Sequence, residues 1–145
     1  MTQSVRELLE ANVDADDYHI GGGVPARTIA LAENALAVQF PAEYREFVGE
    51  VGWLEIHNSY FFGVPADPES EEGNVVHMTR YARNHWALPE NYLVVYSSDD
   101  QALWCLDGAS AERRSKVLAF DTRRTEFAGT VSASYFDALS DFLTA

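Results

Sequence analysis

Apolar residues recur at helical spacing through most of the first fifty positions of the chain. Ser4, followed by a glutamate three residues on, opens a first predicted helix that ends near Asn12. A second helix is predicted over Arg27–Val38. A third begins at Pro41, which suits the start of a helix because no amide donor is needed there, and Gly52 is its predicted C-terminal cap.

A run of three glycines at positions 21 to 23, with Pro25 beyond, separates the first two predicted helices. Glycine and proline interrupt regular structure, so the run predicts a flexible connection rather than a strand. A phosphate-binding loop is not indicated, because the run lacks the Gly-Lys-Ser/Thr ending and acidic residues precede it.

After Gly52 the pattern changes to short runs of aromatic and branched residues, which are typical of strands. Strands are predicted at Trp53–Ile56, Tyr60–Val64, Tyr92–Tyr96, Ala102–Leu106 and Val117–Asp121. Helices are predicted from Val75 to about Trp86, capped by Asn74, and after Ser134. Because short turns join most of these strands, the order favours an α+β fold with a mostly antiparallel sheet.

The length of 145 residues and a hydrophobic content of 47% predict one folded domain over residues 1–145. The lone cysteine, Cys105, allows no intrachain disulfide, which fits a reducing compartment such as the cytoplasm. Apolar runs are far shorter than the roughly 20 residues that cross a bilayer, so a membrane protein is not expected.

Charge changes the range of expected partners. The chain has 23 acidic and 10 basic residues, a formal net charge of -13. This balance repels nucleic-acid backbones and anionic membranes, and it attracts cationic partners. A general nucleic-acid binder is therefore not expected.

The residue types that carry out catalysis or bind metals do not occur in recognisable patterns. The four histidines lack the spacing of metal ligands, and no cofactor-binding motif occurs. Cys105 stands in an apolar run and is predicted to be inert. The aspartates Asp14, Asp16 and Asp17 do not form an EF-hand, because His19 replaces its glycine. We therefore expect no enzyme, no cofactor and no metal site.

The segment at positions 65–73 carries four carboxylates and no Lys or Arg. These residues are Asp67, Glu69, Glu71 and Glu72. Two interpretations remain open: the segment is a solubilising loop, or it is a docking surface for a basic partner. Carboxylates suit docking because they attract such a partner at long range and pair with Arg and Lys on contact.

Two linked segments resemble a known family. Residues 32–36 (AENAL) and 40–48 (FPAEYREFV) resemble the opening signature of the SMI1/KNR4 (SUKH) superfamily, with Gly52 following where the pattern has a glycine. The resemblance continues in the expected order through Phe62-Gly63-Val64, the central hairpin and the closing helix. It spans about residues 26–143, and the helix at 4–12 precedes it.

The resemblance implies an α+β interaction domain without catalysis. Many bacterial members are immunity proteins that bind and neutralise a toxin, often a nuclease, and the length here resembles that type. We therefore expect a basic toxin domain as partner, with carboxylates standing where phosphates would bind. The candidate partner-binding residues are, in order, Asp67, Glu69, Glu71 and Glu72, then Asp99 and Asp100, then Asp14, Asp16 and Asp17. The alternatives are a scaffold or regulatory domain with another endogenous partner, and an enzyme with an unrecognised site.

Overall fold

The computed structural model describes residues 4–98, 102–109 and 115–145, and these form an α+β domain as predicted. The helices are α1 (Val5–Asn12), α2 (Ala26–Leu36), α3 (Ala42–Val51), α4 (Val75–Trp86) and α5 (Tyr135–Thr144). The strands are β1 (Tyr18–Ile20), β2 (Leu54–Ile56), β3 (Ser59–Phe61), β4 (Tyr92–Ser97), β5 (Ala102–Asp107), β6 (Val117–Asp121) and β7 (Glu126–Ser132). A short 3-10 turn at Ala15–Asp17 joins α1 to β1.

The strands form one sheet in which every neighbouring pair is antiparallel and the spatial order equals the chain order. The predicted antiparallel sheet is therefore confirmed. Two of its strands, β1 and β7, were not predicted. β1 has only three residues beside a glycine run, and β7 is mostly exposed, so neither shows the apolar run that signals a strand.

Local capping signals explain why three helices begin where predicted. The hydroxyl of Ser4 accepts a hydrogen bond from the backbone N–H of Glu7 at 3.1 Å, and the hydroxyl of Ser134 accepts one from Asp137 at 3.2 Å. Asn74 caps α4 in the same way. Pro41 is the N-cap of α3, so the helix begins at Ala42, one position after the predicted start.

Acidic residues in the segment 32–48 stabilise the fold. One carboxylate oxygen of Glu33 accepts hydrogen bonds from the Phe40 N–H and the Arg45 guanidinium, both at 2.7 Å. Glu43 is buried on α3, and its carboxylate accepts the N–H of Phe136 in the first turn of α5 at 3.2 Å. A carboxylate there satisfies a free amide and complements the positive end of the helix dipole. Both charges are therefore used within the fold, Glu43 in a buried position and Glu33 in a partly buried one.

The glycine run does not behave as the predicted flexible connection. The N–H groups of Gly21 and Gly22 donate to the carbonyls of Trp53 and Val51, at 3.1 and 2.9 Å. At Gly23 a Cβ would overlap the backbone carbonyl at the end of α3. The run is a connection outside any strand, as predicted, but it is not loose, because Gly21 and Gly23 pack closely against the junction of α3 and β2.

Candidate functional site

The predicted acidic segment forms a loop between β3 and α4, which we call the acidic loop (residues 65–73). Its four carboxylate side chains are all solvent-exposed, as the docking hypothesis requires. These are Asp67, Glu69, Glu71 and Glu72. The structure thus places the first-ranked candidates together on one short surface segment.

Asn74, which is 3% exposed, holds the acidic loop from beneath. Its side-chain amide donates to the carbonyls of Pro68 and Ser70, at 3.3 and 2.8 Å. Its side-chain oxygen accepts the N–H groups of Val76 and His77 in the first turn of α4, at 2.9 and 3.4 Å. One buried side chain therefore fixes both the loop and the start of the helix.

The C-terminal end of the loop is attached to the sheet beside Trp53. The Gly63 N–H donates to the carbonyl of Gly73 at 2.8 Å, and the Val75 N–H donates to the carbonyl of Gly63 at 2.8 Å. A Cβ at Gly73, or at Gly21 near the indole, would overlap the Trp53 ring. Only glycine permits this close approach, so the loop has a set position relative to β2.

Beside the loop, three aromatic rings and two carboxylates form a second feature, which we call the aromatic–acidic face: Trp53, Glu55, Tyr60, Phe62 and Glu72. The Tyr60 ring lies 6.4 Å from that of Trp53 and 5.9 Å from that of Phe62. Burial raises the pKa of Tyr60, and the charge of Glu55, its hydrogen bond to that carboxylate and the charge of Glu72 raise it further. Negative charge therefore surrounds a phenol that is partly exposed.

Sequence analysis did not select Glu55 or Tyr60 as site residues. The sequence clue that could have identified Glu55 is its place as the polar residue in the short run Leu54-Glu55-Ile56. Because side chains alternate along a strand, Glu55 lies on the face opposite its buried neighbours. The register then pairs Glu55 with Tyr60 across β2 and β3, and with His19 across β1 and β2. Strand pairing, rather than sequence proximity, assembles this face.

The third-ranked candidates, Asp14, Asp16 and Asp17, are exposed at the opposite end of β1 from the acidic loop. The strand β1, which is about 10 Å long, runs from these aspartates toward the Trp53 side of the sheet, where the acidic loop is attached. Asp14 and Asp17 border a recess of about 340 Å³ with His57 and the C-terminal Ala145. The structure therefore does not merge them with the loop. The second-ranked candidates, Asp99 and Asp100, lie outside the described residues.

A groove between α2 and α4 opens next to the acidic loop, and sequence analysis did not predict it. Its volume is about 340 Å³, and its lining includes Leu31, Ala32, Val64, Pro68, Glu69 and Val76. Leu31 is 64% exposed, the largest value among the large apolar side chains that the structure leaves exposed in the described ranges. Its position off the buried stripe of α2 was the only sequence signal, and the other wall comes from a helix more than forty residues away.

Covalent chemistry would require a reactive nucleophile such as a thiolate, and metal chemistry would require a cluster of ligating side chains. Cys105 is buried, and desolvation raises the pKa of its thiol to about 12. Within the described part of the chain, no three His, Cys, Asp or Glu side chains come together as metal ligands would. Nor does any helix within it combine the length and apolarity needed to cross a membrane.

A family model named SUKH_5 and described as SMI1-KNR4 cell-wall matches residues 2–144. The chain belongs to the SMI1-KNR4 family. The match extends the resemblance seen in the sequence to the N-terminal helix, which lay outside the segment it covered. A search of curated proteins found no match.

In this SMI1-KNR4 chain, the residues that carried the resemblance and the exposed candidates are different sets. Glu33 and Glu43 of the opening signature bond backbone amides inside the fold, and Tyr44 donates its hydroxyl hydrogen bond to the Phe62 carbonyl at 2.7 Å. The acidic loop and the exposed Leu31 take no part in these contacts. The signature residues therefore stabilise the fold, and they do not indicate which surface binds a partner.

Proposed function

We propose that this chain is a non-catalytic protein-binding domain of the immunity type, which binds and neutralises a cognate bacterial toxin in the cytoplasm. The acidic loop carries the proposal, because it presents four exposed carboxylates on a hydrogen-bonded frame and contains no Lys or Arg. Membership of the SMI1-KNR4 family and the net charge of -13 support it. The partner surface is basic, as in a nuclease cleft that binds phosphates.

In the proposed mechanism, charge raises the rate of association and packing of aromatic side chains stabilises the complex. Carboxylates act over a Debye length of about 8 Å at physiological salt, so the loop raises the rate of encounter with a basic surface. Because Asn74 already fixes the loop, little further ordering is needed on binding. Tyr60, which is partly exposed beside the loop, is of a residue type that often contributes most to a protein interface.

A non-catalytic role is part of the proposal. Its support is the state of Cys105, since a buried thiol with a pKa of about 12 is protonated at neutral pH and is a poor nucleophile. Neutralisation then depends on occupying the partner's surface, so affinity and association rate are the quantities to measure.

The test is co-expression with the product of the neighbouring gene, scored by cell survival and co-purification. Changing the four acidic-loop carboxylates to lysine should abolish protection, slow association and flatten its salt dependence. A control variant reverses four exposed acids elsewhere, which gives the same change in net charge: Glu7, Glu10, Glu126 and Asp141. The control should retain most of the protection. A neighbouring product that is harmless and does not co-purify would contradict the immunity function.

A further inference from the structure

The groove between α2 and α4 is the place where an exposed apolar surface meets the acidic loop. Leu31 and Ala32 form part of one wall, and Val76 lies on the opposite helix. The chain between β3 and α4 closes one end, where Pro68 and Glu69 contribute to the lining. The groove therefore combines an apolar interior with a carboxylate at its rim.

The two helices that form the groove are held together independently of any partner. Arg80 on α4 donates to the carbonyl of Ala35 at 3.3 Å, and Arg83 donates to the carbonyl of Leu36 at 3.1 Å. These carbonyls lie in the last turn of α2, where cationic side chains are favourable. The groove is thus preformed, which lowers the entropy lost when a ligand enters.

The size of the groove suits side chains. An apolar cavity of about 150 Å³ accommodates benzene, so 340 Å³ provides room for one large aliphatic side chain and part of its neighbour. Leu31, at 64% exposure, would lose contact with water when such a side chain enters. Burial of apolar area gives this contact its free energy.

The charges around the groove select among apolar ligands. Arg80 and His77 also line it, but the Arg80 guanidinium already donates to the C-terminal end of α2. The acidic loop contributes the carboxylate of Glu69 to the lining, the exposed Asp67 lies two residues before it, and the loop contains no Lys or Arg. The net field at the loop end is therefore negative, and it favours a ligand that carries Lys or Arg next to its apolar residue.

We propose that the groove receives an aliphatic side chain from a basic segment of the protein partner, whose Lys or Arg neighbours pair with Glu69 and Asp67. This inference rests on the proposed function and adds an anchor to it. The acidic loop sets the rate of encounter, and the groove sets the lifetime of the complex.

A peptide titration tests the groove without the toxin. The full chain, labelled with nitrogen-15, is titrated with a blocked peptide of sequence Arg-Lys-Leu-Lys-Arg and with the same peptide carrying serine in place of leucine. The leucine peptide should shift the amide signals of Leu31, Ala32 and Val76. The serine peptide should bind about tenfold more weakly, since it lacks the buried apolar group.

Matched variants separate the groove from general surface effects. Leu31→Ala should weaken binding of the leucine peptide about fivefold, as part of its apolar contact is lost. Tyr81→Ala and Val131→Ala, at positions 48% and 38% exposed, should leave it unchanged. Glu69→Gln should weaken binding at low salt, whereas Glu126→Gln, with the same loss of one exposed charge, should not.

Two results would overturn the proposal: equal affinity for the leucine and serine peptides, or shifts confined to the acidic loop. The toxin assay distinguishes this failure from failure of the proposed function. If reversal of the loop charges abolishes protection and Leu31→Ala leaves the dissociation rate of the toxin complex unchanged, the immunity function stands and the groove is not its anchor. If Leu31→Ala speeds that dissociation about tenfold, both proposals are supported.

Discussion

Replacing Asn74 by aspartate should separate the two tasks of this side chain. Its oxygen caps α4 by accepting the N–H of Val76, and its amide nitrogen holds the acidic loop by donating to Pro68 and Ser70. Aspartate keeps an acceptor but has no amide donors. We therefore expect Asn74→Asp to retain the helix cap and release the loop, whereas Asn74→Ala removes both.

The magnitudes follow from the contacts. A lost N-cap costs about 1 kcal/mol. Each lost amide-to-carbonyl bond costs about 1 kcal/mol, so Asn74→Ala should lower the free energy of unfolding by about 3 kcal/mol. Asn74→Asp should cost about 2 kcal/mol or more, because a nearly buried carboxylate then faces two carbonyl oxygens. Ser134→Ala, which removes only the cap of α5, is the matched control at about 1 kcal/mol.

Urea unfolding gives the free energies, and amide hydrogen exchange shows where order is lost. In Asn74→Asp the Val76 amide should stay protected, while the Ser70 amide, which donates to the Asp67 carbonyl, should exchange faster. The reasoning is refuted if Asn74→Ala costs no more than Ser134→Ala and the Ser70 amide keeps its protection. In that case the loop would be ordered by its own turns and not by the buried amide.

Three further predictions concern the interior. Gly63→Ala should destabilise the fold by about 3 kcal/mol or more, because a Cβ there overlaps the Gly52 carbonyl. Gly49→Ala is the control: this position lies in open space on α3, so the change should stabilise the fold by about 0.5–1 kcal/mol. Urea unfolding midpoints measure both effects. Glu43→Ala should cost about 2 kcal/mol by leaving an α5 amide without its carboxylate, with Glu43→Gln costing less. Native Cys105 should resist iodoacetamide at pH 8, since its pKa of about 12 leaves almost no thiolate, and it should react only as fast as the chain unfolds.

Local signals explain why some elements were predictable to the residue. α4 was predicted over Val75 to about Trp86 and is found at those bounds, because Asn74 starts it and no distant contact is needed to place the start. The hairpin of β4 and β5 is only one residue longer on each strand than predicted. Both its strands are short apolar runs on either side of a polar turn, a local pattern that indicates a hairpin.

Features created by distant residues were not predictable in this way. β1 exists because Tyr18–Ile20 pairs with β2, more than thirty residues later. The buried carboxylate of Glu43 on α3 accepts an amide 93 residues away in α5. Leu31 lines a groove only because α4 packs beside α2. In each case the deciding partner is absent from any local window of the sequence.

The net charge alone does not show which carboxylates are exposed for binding and which form bonds within the fold. Glu33 and Glu43 count toward the -13, yet their carboxylates accept hydrogen bonds from backbone amides within the fold. Two costs limit exposed carboxylates on a flexible segment: salt screens their attraction beyond about 8 Å, and the segment loses entropy when it is ordered on contact. The acidic loop avoids the second cost, because Asn74 sets its shape before any encounter. Recognition of a basic surface should therefore depend on the four charges of this held loop more than on the total, so equal charge changes elsewhere should have little effect.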